Sequence, residues 1–174
     1  MKILIVYMSK HGTTNKAVKH LQHLLYGHDV TTVNLECEQV KNLDEYTHIM
    51  IGGSIHMGFV QTKITQFCGS HLELLLKKQV GLFLCCMDKE NVNDLFENSF
   101  PGELLNHAVI KSRFGGELLL GKMNFVTRLL ARWIGGYKKD VHQLDIKAIN
   151  SFARKMTAYK TPEEKKEKFN YASS

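Results

Sequence analysis

The sequence predicts a doubly wound α/β domain: a parallel sheet of five strands with helices on both faces. Three observations carry this. After Lys2 the run at 2–8 is continuously apolar and rich in Ile and Val, the pattern of a strand buried on both faces, and the run at 79–85 is again strongly apolar. Between the apolar runs, hydrophobic residues recur at helical spacing. Glycines, or a hydroxyl-rich turn, stand where one kind of element gives way to the other. Strands alternating with helices imply βαβ units and right-handed crossovers.

Taken in order, the first strand is 2–8, bounded by the turn from Ser9 to Gly12. A helix follows over 13–26, with Ala17, Val18, Leu21, Leu24 and Leu25 on one side and Gly27 as its stop. A second strand is expected at 30–35, and a third at 46–51 running into Gly52-Gly53. Next come a helix over 64–76, a fourth strand at 79–85, and a helical stretch over 92–105 broken at Pro101-Gly102. A fifth strand is expected at 108–114, ending at Gly115-Gly116, then helices over 123–134 and 146–159. Residues 1–160 make one domain. The segment 161–174, with its run Glu163-Glu164-Lys165-Lys166-Glu167-Lys168, reads as a charged, solvated tail.

A chain of 174 residues, 44% apolar, buries a proper core as a single domain. No stretch is long and uncharged enough to span a bilayer, and the opening apolar run is too short for a signal-peptide core, so a cytoplasmic protein is expected. Cys37, Cys68, Cys85 and Cys86 include no CxxC pair and no histidine at metal-ligand spacing, which excludes the usual metal motifs and leaves reduced, buried thiols. Lys and Arg number 23 against 17 Asp and Glu, a net charge of +6. That balance suits an anionic surface or an acidic small molecule. Nucleic acid is not expected, because no helix-turn-helix, zinc finger or aromatic-interleaved basic strand is present.

Between the first strand and the first helix lies Ser9-Lys10-His11-Gly12-Thr13-Thr14. At a helix N-terminus, backbone amides and hydroxyls of this kind can cradle a phosphate, and Gly12 lets the backbone approach it. The loop is neither GxGxxG nor GxxxxGK[ST], so a lone monophosphate fits better than a dinucleotide or a triphosphate. Ser9 or Thr13 acting only as a helix cap is the plainer reading of the same residues. The pattern Ser9-x-x-Gly12-x-Thr14 after an apolar strand resembles the FMN phosphate loop of the flavodoxin family, and the element order to about residue 160 fits that family. The resemblance implies a flavodoxin-like sheet of order 2-1-3-4-5 with FMN at the switch point between the first and third strands. His11 departs from it, standing where flavodoxins commonly have a threonine.

If the phosphate sits after the first strand, the flavin ring should lie along the loops after the third and fourth. These are Gly52-Gly53-Ser54-Ile55-His56-Met57-Gly58 and Cys85-Cys86-Met87-Asp88. The glycine-rich loop resembles the matching loop of bacterial flavodoxin-type protoporphyrinogen oxidases, quinone-linked enzymes of haem synthesis. That resemblance implies protoporphyrinogen IX as donor and a quinone such as menaquinone as acceptor. It also implies an added basic helix after the fifth strand, for which 116–140 is the counterpart. There, apolar Met123, Phe125, Val126, Leu129, Leu130, Trp133 and Ile134 are mixed with Lys122, Arg128, Arg132, Lys138 and Lys139. Such a helix either packs its apolar stripe on the domain, or lies through 122–139 on an anionic membrane or over an apolar substrate.

No residue must act as acid or base. His56 is the one catalytic candidate, as a proton relay, and is equally readable as a passive wall. Low-potential flavodoxins usually flank the ring with Trp and Tyr among carboxylates, and both ring loops lack these aromatics. Positive surroundings favour the anionic reduced flavin and raise its potential. Three functions are therefore expected in competition: an FMN oxidoreductase, an electron-transfer module serving a protein partner, and a regulatory domain that has lost its flavin.

Overall fold

The computed structural model describes residues 1–9, 12–118 and 141–158. Lys10, His11, the helix expected over 123–134, most of the basic segment and the tail 161–174 lie outside the described residues.

Strands β1 (Lys2–Met8), β2 (Asp29–Asn34), β3 (His48–His56), β5 (Gln79–Cys85) and β6 (Ile110–Arg113) form a parallel sheet of order β2-β1-β3-β5-β6. Counted alone, these five strands run 2-1-3-4-5, the order expected. The short β4 (Phe59–Val60) folds back antiparallel on β3, and β7 (Gly115–Leu118) pairs antiparallel with β8 (Val141–Leu144) in a separate ribbon.

Alternation along β1 sorts the core into two layers. Leu4, Val6 and Met8 join Ile49, Ile51, Leu82 and Leu84 under α2 (Thr62–Ser70), α3 (Leu72–Leu75), α4 (Val92–Glu97) and α5 (Gly102–His107). Ile3, Ile5 and Tyr7 face the other way, with Met50 and Phe83, against α1 (Thr13–Leu24) and α6 (Ile146–Ala158). On that second face Phe83 stacks on Phe114 at 4.7 Å between centroids, and Phe152 meets Phe114 edge-on at 5.1 Å. Asp145 caps α6, its Oδ1 accepting from the Ala148 N–H at 2.9 Å.

The structure differs from the sequence reading in four places. The third strand does not stop at Ile51; it runs through Gly52 and Gly53 to His56. These glycines serve close approach, since a Cβ at Gly52 would sit 2.1 Å from the Phe83 carbonyl oxygen. The turn falls instead at Met57 (φ 52°) and Gly58 (φ 88°), two left-handed residues that make a tight hairpin between Ile55–His56 and Phe59–Val60. The helix expected over 64–76 breaks at His71 into α2 and α3. Beyond the fifth strand the chain does not stop at Gly115-Gly116 but enters β7. Finally, Cys68, Cys85 and Cys86 are buried free thiols as expected, whereas Cys37 is exposed in the turn after β2.

Candidate functional site

Register gathers the expected loops at one edge. Met8, the last residue of β1, pairs with Gly53 of β3, and Ser54 pairs with Cys85 of β5. The chain segments after β1, β3 and β5 thus all leave the carboxyl edge beside one another, the region where ligands of open α/β sheets bind.

The segment after β1 ends in Gly12, left-handed at φ 91°, which is the N-cap of α1. No side chain caps this helix, and its first turn holds no acidic residue. The helix therefore presents first-turn amides and the positive end of its dipole, a setting that favours an anion. Ser9 braces the turn, its Oγ accepting the Gly12 N–H at 3.3 Å. The Ser9 peptide is itself held by Asn34 at the end of β2: the Ser9 N–H donates to Asn34 Oδ1, and Asn34 Nδ2 donates to the Ser9 carbonyl, both at 3.3 Å. Tyr7 OH donates to Asn15 Oδ1 at 3.3 Å, and burial pushes the phenol pKa up. Thr13 and Thr14 open the helix. Thr14 is 1% exposed, and its buried Oγ1 makes no well-formed hydrogen bond, with the Cys85 thiol as its one weak polar neighbour.

The segment after β3 is the hairpin. Ser54 and Ile55 are half-buried, His56 is exposed, and Met57 at the tip is 98% exposed. Phe59, opposite His56 across the hairpin, is 57% exposed, so an aromatic ring does stand here, one residue beyond the loop read from the sequence. Gln61 anchors the hairpin base. Its Nε2 donates to the Met8 carbonyl at 3.3 Å and to Ser54 Oγ at 2.5 Å, while Ser54 Oγ and His56 Nε2 lie 3.1 Å apart. Gln61 Oε1 is buried without a partner, and a Cβ at Gly53 would come within 2.3 Å of it. Among the described residues, the buried side-chain atoms left orphaned are Thr14 Oγ1 and Gln61 Oε1, and both stand at the carboxyl edge.

Cys86, Met87 and Asp88 follow β5. Burial pushes the Cys86 thiol up, against the pull of the Arg113 guanidinium, and its Sγ lies 3.6 Å from the Asp88 carbonyl. Asp88 turns back on its own loop: its carboxylate accepts from the Glu90 and Asn91 N–H groups at 2.9 and 3.2 Å and from Asn91 Nδ2 at 3.1 Å. Those bonds, the Asn91 side chain first, hold its pKa below the usual carboxylate value. Arg113 ties this loop to the last helix, Nη1 donating to the Cys86 carbonyl at 3.0 Å and Nη2 lying 3.8 Å from Asp145 Oδ2. Gly116 of β7 packs on the same loop, where a Cβ would meet Cys86 and Met87 backbone atoms at 3.0 and 3.1 Å. The β7–β8 ribbon, from which the basic segment departs, is rooted beside residues 86–88.

The structure thus brings together Ser9, Gly12, Thr13, Thr14, Gly53–Gly58 and Cys86–Asp88 at one edge, with Lys10 and His11 outside the described residues. Sequence reading missed Asn34, Gln61, Phe59 and Arg113. The signal for Asn34 was a polar residue closing a strand; nothing in the sequence singles out Gln61. No helix of the described residues is long and apolar enough to cross a membrane, and none of their His, Cys, Asp and Glu side chains group as a metal site would.

A profile of the flavodoxin domain family matches residues 4–145. No curated protein matches the chain. Among solved structures, it is similar to oxidised flavodoxin 1 from Bacillus cereus, with 12% identity over 92% of this chain and 100% of that one, TM-score 0.56. It is similar to the flavodoxin of Streptococcus pneumoniae TIGR4, with 13% identity over 91% and 99% of the two chains, TM-score 0.54. Rubredoxin oxygen:oxidoreductase from Desulfovibrio gigas aligns over 90% of this chain but 35% of its own, with 12% identity and a TM-score of 0.58. The flavodoxin family binds FMN.

Proposed function

The chain belongs to the flavodoxin domain family, and on that premise we propose that it is an FMN redox protein whose electrons enter and leave at the carboxyl edge of the sheet. FMN has one phosphate, matching the uncapped, acid-free N-terminus of α1. The poorly satisfied Thr14 Oγ1 carries this reading, because a buried hydroxyl with only a weak thiol neighbour costs stability unless a ligand completes it. Residues 9–14 would hold the phosphate, and 53–58 with 86–88 would border the ring. Bound FMN supplies one- and two-electron chemistry coupled to protons. The chain's part is to bind it, orient it, and set the charge around it.

The flavodoxins that align over nearly their whole length favour an electron-transfer role with a protein partner. A finer reading makes the protein an enzyme that oxidises protoporphyrinogen IX and passes the electrons to a quinone. It is supported by the resemblance of 52–58 to the loop of such oxidases, and by the packing of Gly116, in the strand that precedes 122–139 in sequence, on Cys86 and Met87. In that reading 122–139 attracts porphyrin carboxylates or an anionic membrane surface.

Anaerobic mixing with protoporphyrinogen IX, then with a menaquinone analogue, tests the finer reading. Bleaching of the flavin and its return establish the enzyme. No bleaching by protoporphyrinogen, with normal reduction by dithionite, leaves the carrier. A protein that takes up no added FMN rejects both. Co-sedimentation with anionic liposomes, unchanged when Arg128, Arg132, Lys138 and Lys139 become Glu, would remove the membrane role.

A further inference from the structure

Charge is sorted between the two faces of the sheet, and from this we infer that the α1/α6 face is a docking surface for the headgroup layer of an anionic membrane. Over their full lengths α1 and α6 hold no Asp or Glu; their charged side chains are Lys16, Lys19, Lys147, Arg154 and Lys155. The helices of the opposite face, α2 to α5, set Lys63 against Glu73, Asp94, Glu97 and Glu103. One helical face thus carries five cations and no acid, the other one cation and four acids. Solubility asks for net charge, not for its segregation; a single-signed face attracts a partner of the other sign and orients it.

The cations are exposed and spread over the face. Lys16, Lys19 and His23 recur at helical spacing on the side of α1 away from the buried Ala17, Val18 and Leu21. Lys147 and Arg154 lie two turns apart on the side of α6 away from Ile149, Phe152, Ala153 and Met156. The helices lie alongside each other, His20 Nε2 and Asn150 Oδ1 meeting at 3.3 Å, so the charge covers a flat area about 20 Å long. Among the described residues, the ion pairs Lys2–Glu45 and Arg113–Asp145 use none of Lys19, Lys147, Arg154 and Lys155. Asp145, engaged by Arg113 and the Ala148 N–H, stands at one margin of the face, and Asp29, just past the end of α1, at another. The sequence beyond α6 adds no net acid, since 161–174 holds three Lys and three Glu.

A bilayer fits this surface better than a protein or a nucleic acid. A plane of headgroups needs no ridge or groove to meet flat, spread charge, and each Lys or Arg near it strengthens attachment about fivefold. Apolar side chains flank the cations as well. Of the five large apolar side chains exposed among the described residues, Met57 and Phe59 belong to the hairpin, while Leu24, Tyr26 and Ile146 sit at the ends of α1 and α6. Tyr26, 92% exposed, has the amphipathic ring that settles at headgroup level. Docked this way, the acidic face looks away from the membrane, and the carboxyl edge of the sheet opens sideways along its surface. The surface is separate from 122–139 and requires no flavin.

Co-sedimentation of the full chain with phosphatidylcholine vesicles, with and without phosphatidylserine, tests this. Wild type is expected to bind the phosphatidylserine vesicles, to leave the neutral ones, and to be released as salt is raised. Lys19→Glu/Arg154→Glu/Lys155→Glu should bind at least about tenfold more weakly. Lys41→Glu/Lys77→Glu/Lys89→Glu makes the same change in net charge away from this face and should stay within about twofold of wild type. If circular dichroism shows the first variant unfolded, Lys19→Gln/Arg154→Gln/Lys155→Gln takes its place. Undiminished binding by the folded face variant, equal loss in both sets, or wild-type binding to DNA or an acidic protein but not to the vesicles overturns the inference. FMN uptake is measured on the same samples, so a protein that takes up none rejects the proposed function and leaves the vesicle result standing.

Discussion

Asn34 and Ser9 hold each other by a reciprocal pair of hydrogen bonds, each 3.3 Å long, that joins the end of β2 to the start of the phosphate turn. The side chain mimics a strand partner at the point where the ladder between β1 and β2 ends at Tyr7 and Asn34. Replacing it by Leu removes both bonds and leaves the Ser9 peptide to water. The expected effect is a loss of FMN affinity of about tenfold, or about 1.4 kcal/mol. Quenching of FMN fluorescence on titration measures it, and an unchanged affinity would show that the clamp does not shape the turn.

Thr14 gives a sharper contrast between folding and binding. Its hydroxyl oxygen is buried with only the weak Cys85 thiol as polar neighbour, so Thr14→Val, of nearly the same shape, removes a poorly satisfied polar group. The FMN-free protein should become no less stable, gaining up to about 1 kcal/mol in urea unfolding, while FMN affinity falls. A purely structural threonine would give the opposite pattern, with stability lost and affinity kept.

The fold was legible because its strongest signals are local. Residues 79–85 are apolar after Gln79, and the strand has those bounds; the first helix shows its buried face as Ala17, Val18, Leu21 and Leu25. What escaped depends on partners remote in sequence. Gly52 reads as a turn residue until β5 is seen to bring the Phe83 carbonyl against it. The β7–β8 ribbon joins strands separated by the whole basic segment, and β7 opens on two glycines. At the site, the loops could be found because glycines and hydroxyls cluster where a strand ends. Asn34 and Gln61 could not, since each acts across a register that only the folded sheet defines. Cys37 was misread as buried because its turn projects from the edge strand β2.

Two glycines separate close approach from mere flexibility. Gly52→Ala would drive a methyl to 2.1 Å from a backbone oxygen and 2.5 Å from the Phe83 ring, so β3 and β5 must part. The expected cost is about 3 kcal/mol, because a well-packed core resists inserted volume. At Gly69, within α2, a Cβ meets nothing within 4 Å. Gly69→Ala should stabilise by about 0.5–1 kcal/mol through its better helix propensity. Urea midpoints of the two variants, moving in opposite directions from wild type, check both.

The thiols predict how stability responds to alkali. Burial pushes Cys68 and Cys85 up to about 12, the Thr14 hydroxyl beside Cys85 working weakly the other way. Both thiols stay neutral in the folded chain while the unfolded chain ionises them from about 9 upward. Above that point the native state holds more protons than the unfolded one, so stability falls with rising pH. The contribution is fully present below pH 9 and is lost between 9 and about 12, at up to about 1.4 kcal/mol per pH unit for each thiol. Urea unfolding across that window should steepen accordingly, and Cys68→Ala should show a shallower decline than wild type even though it starts less stable. At neutral pH the same burial protects Cys68, Cys85 and Cys86, so a thiol reagent should label only Cys37 before unfolding. Equal labelling of a second cysteine in the native protein would mean that the core around it opens far more readily than its packing implies.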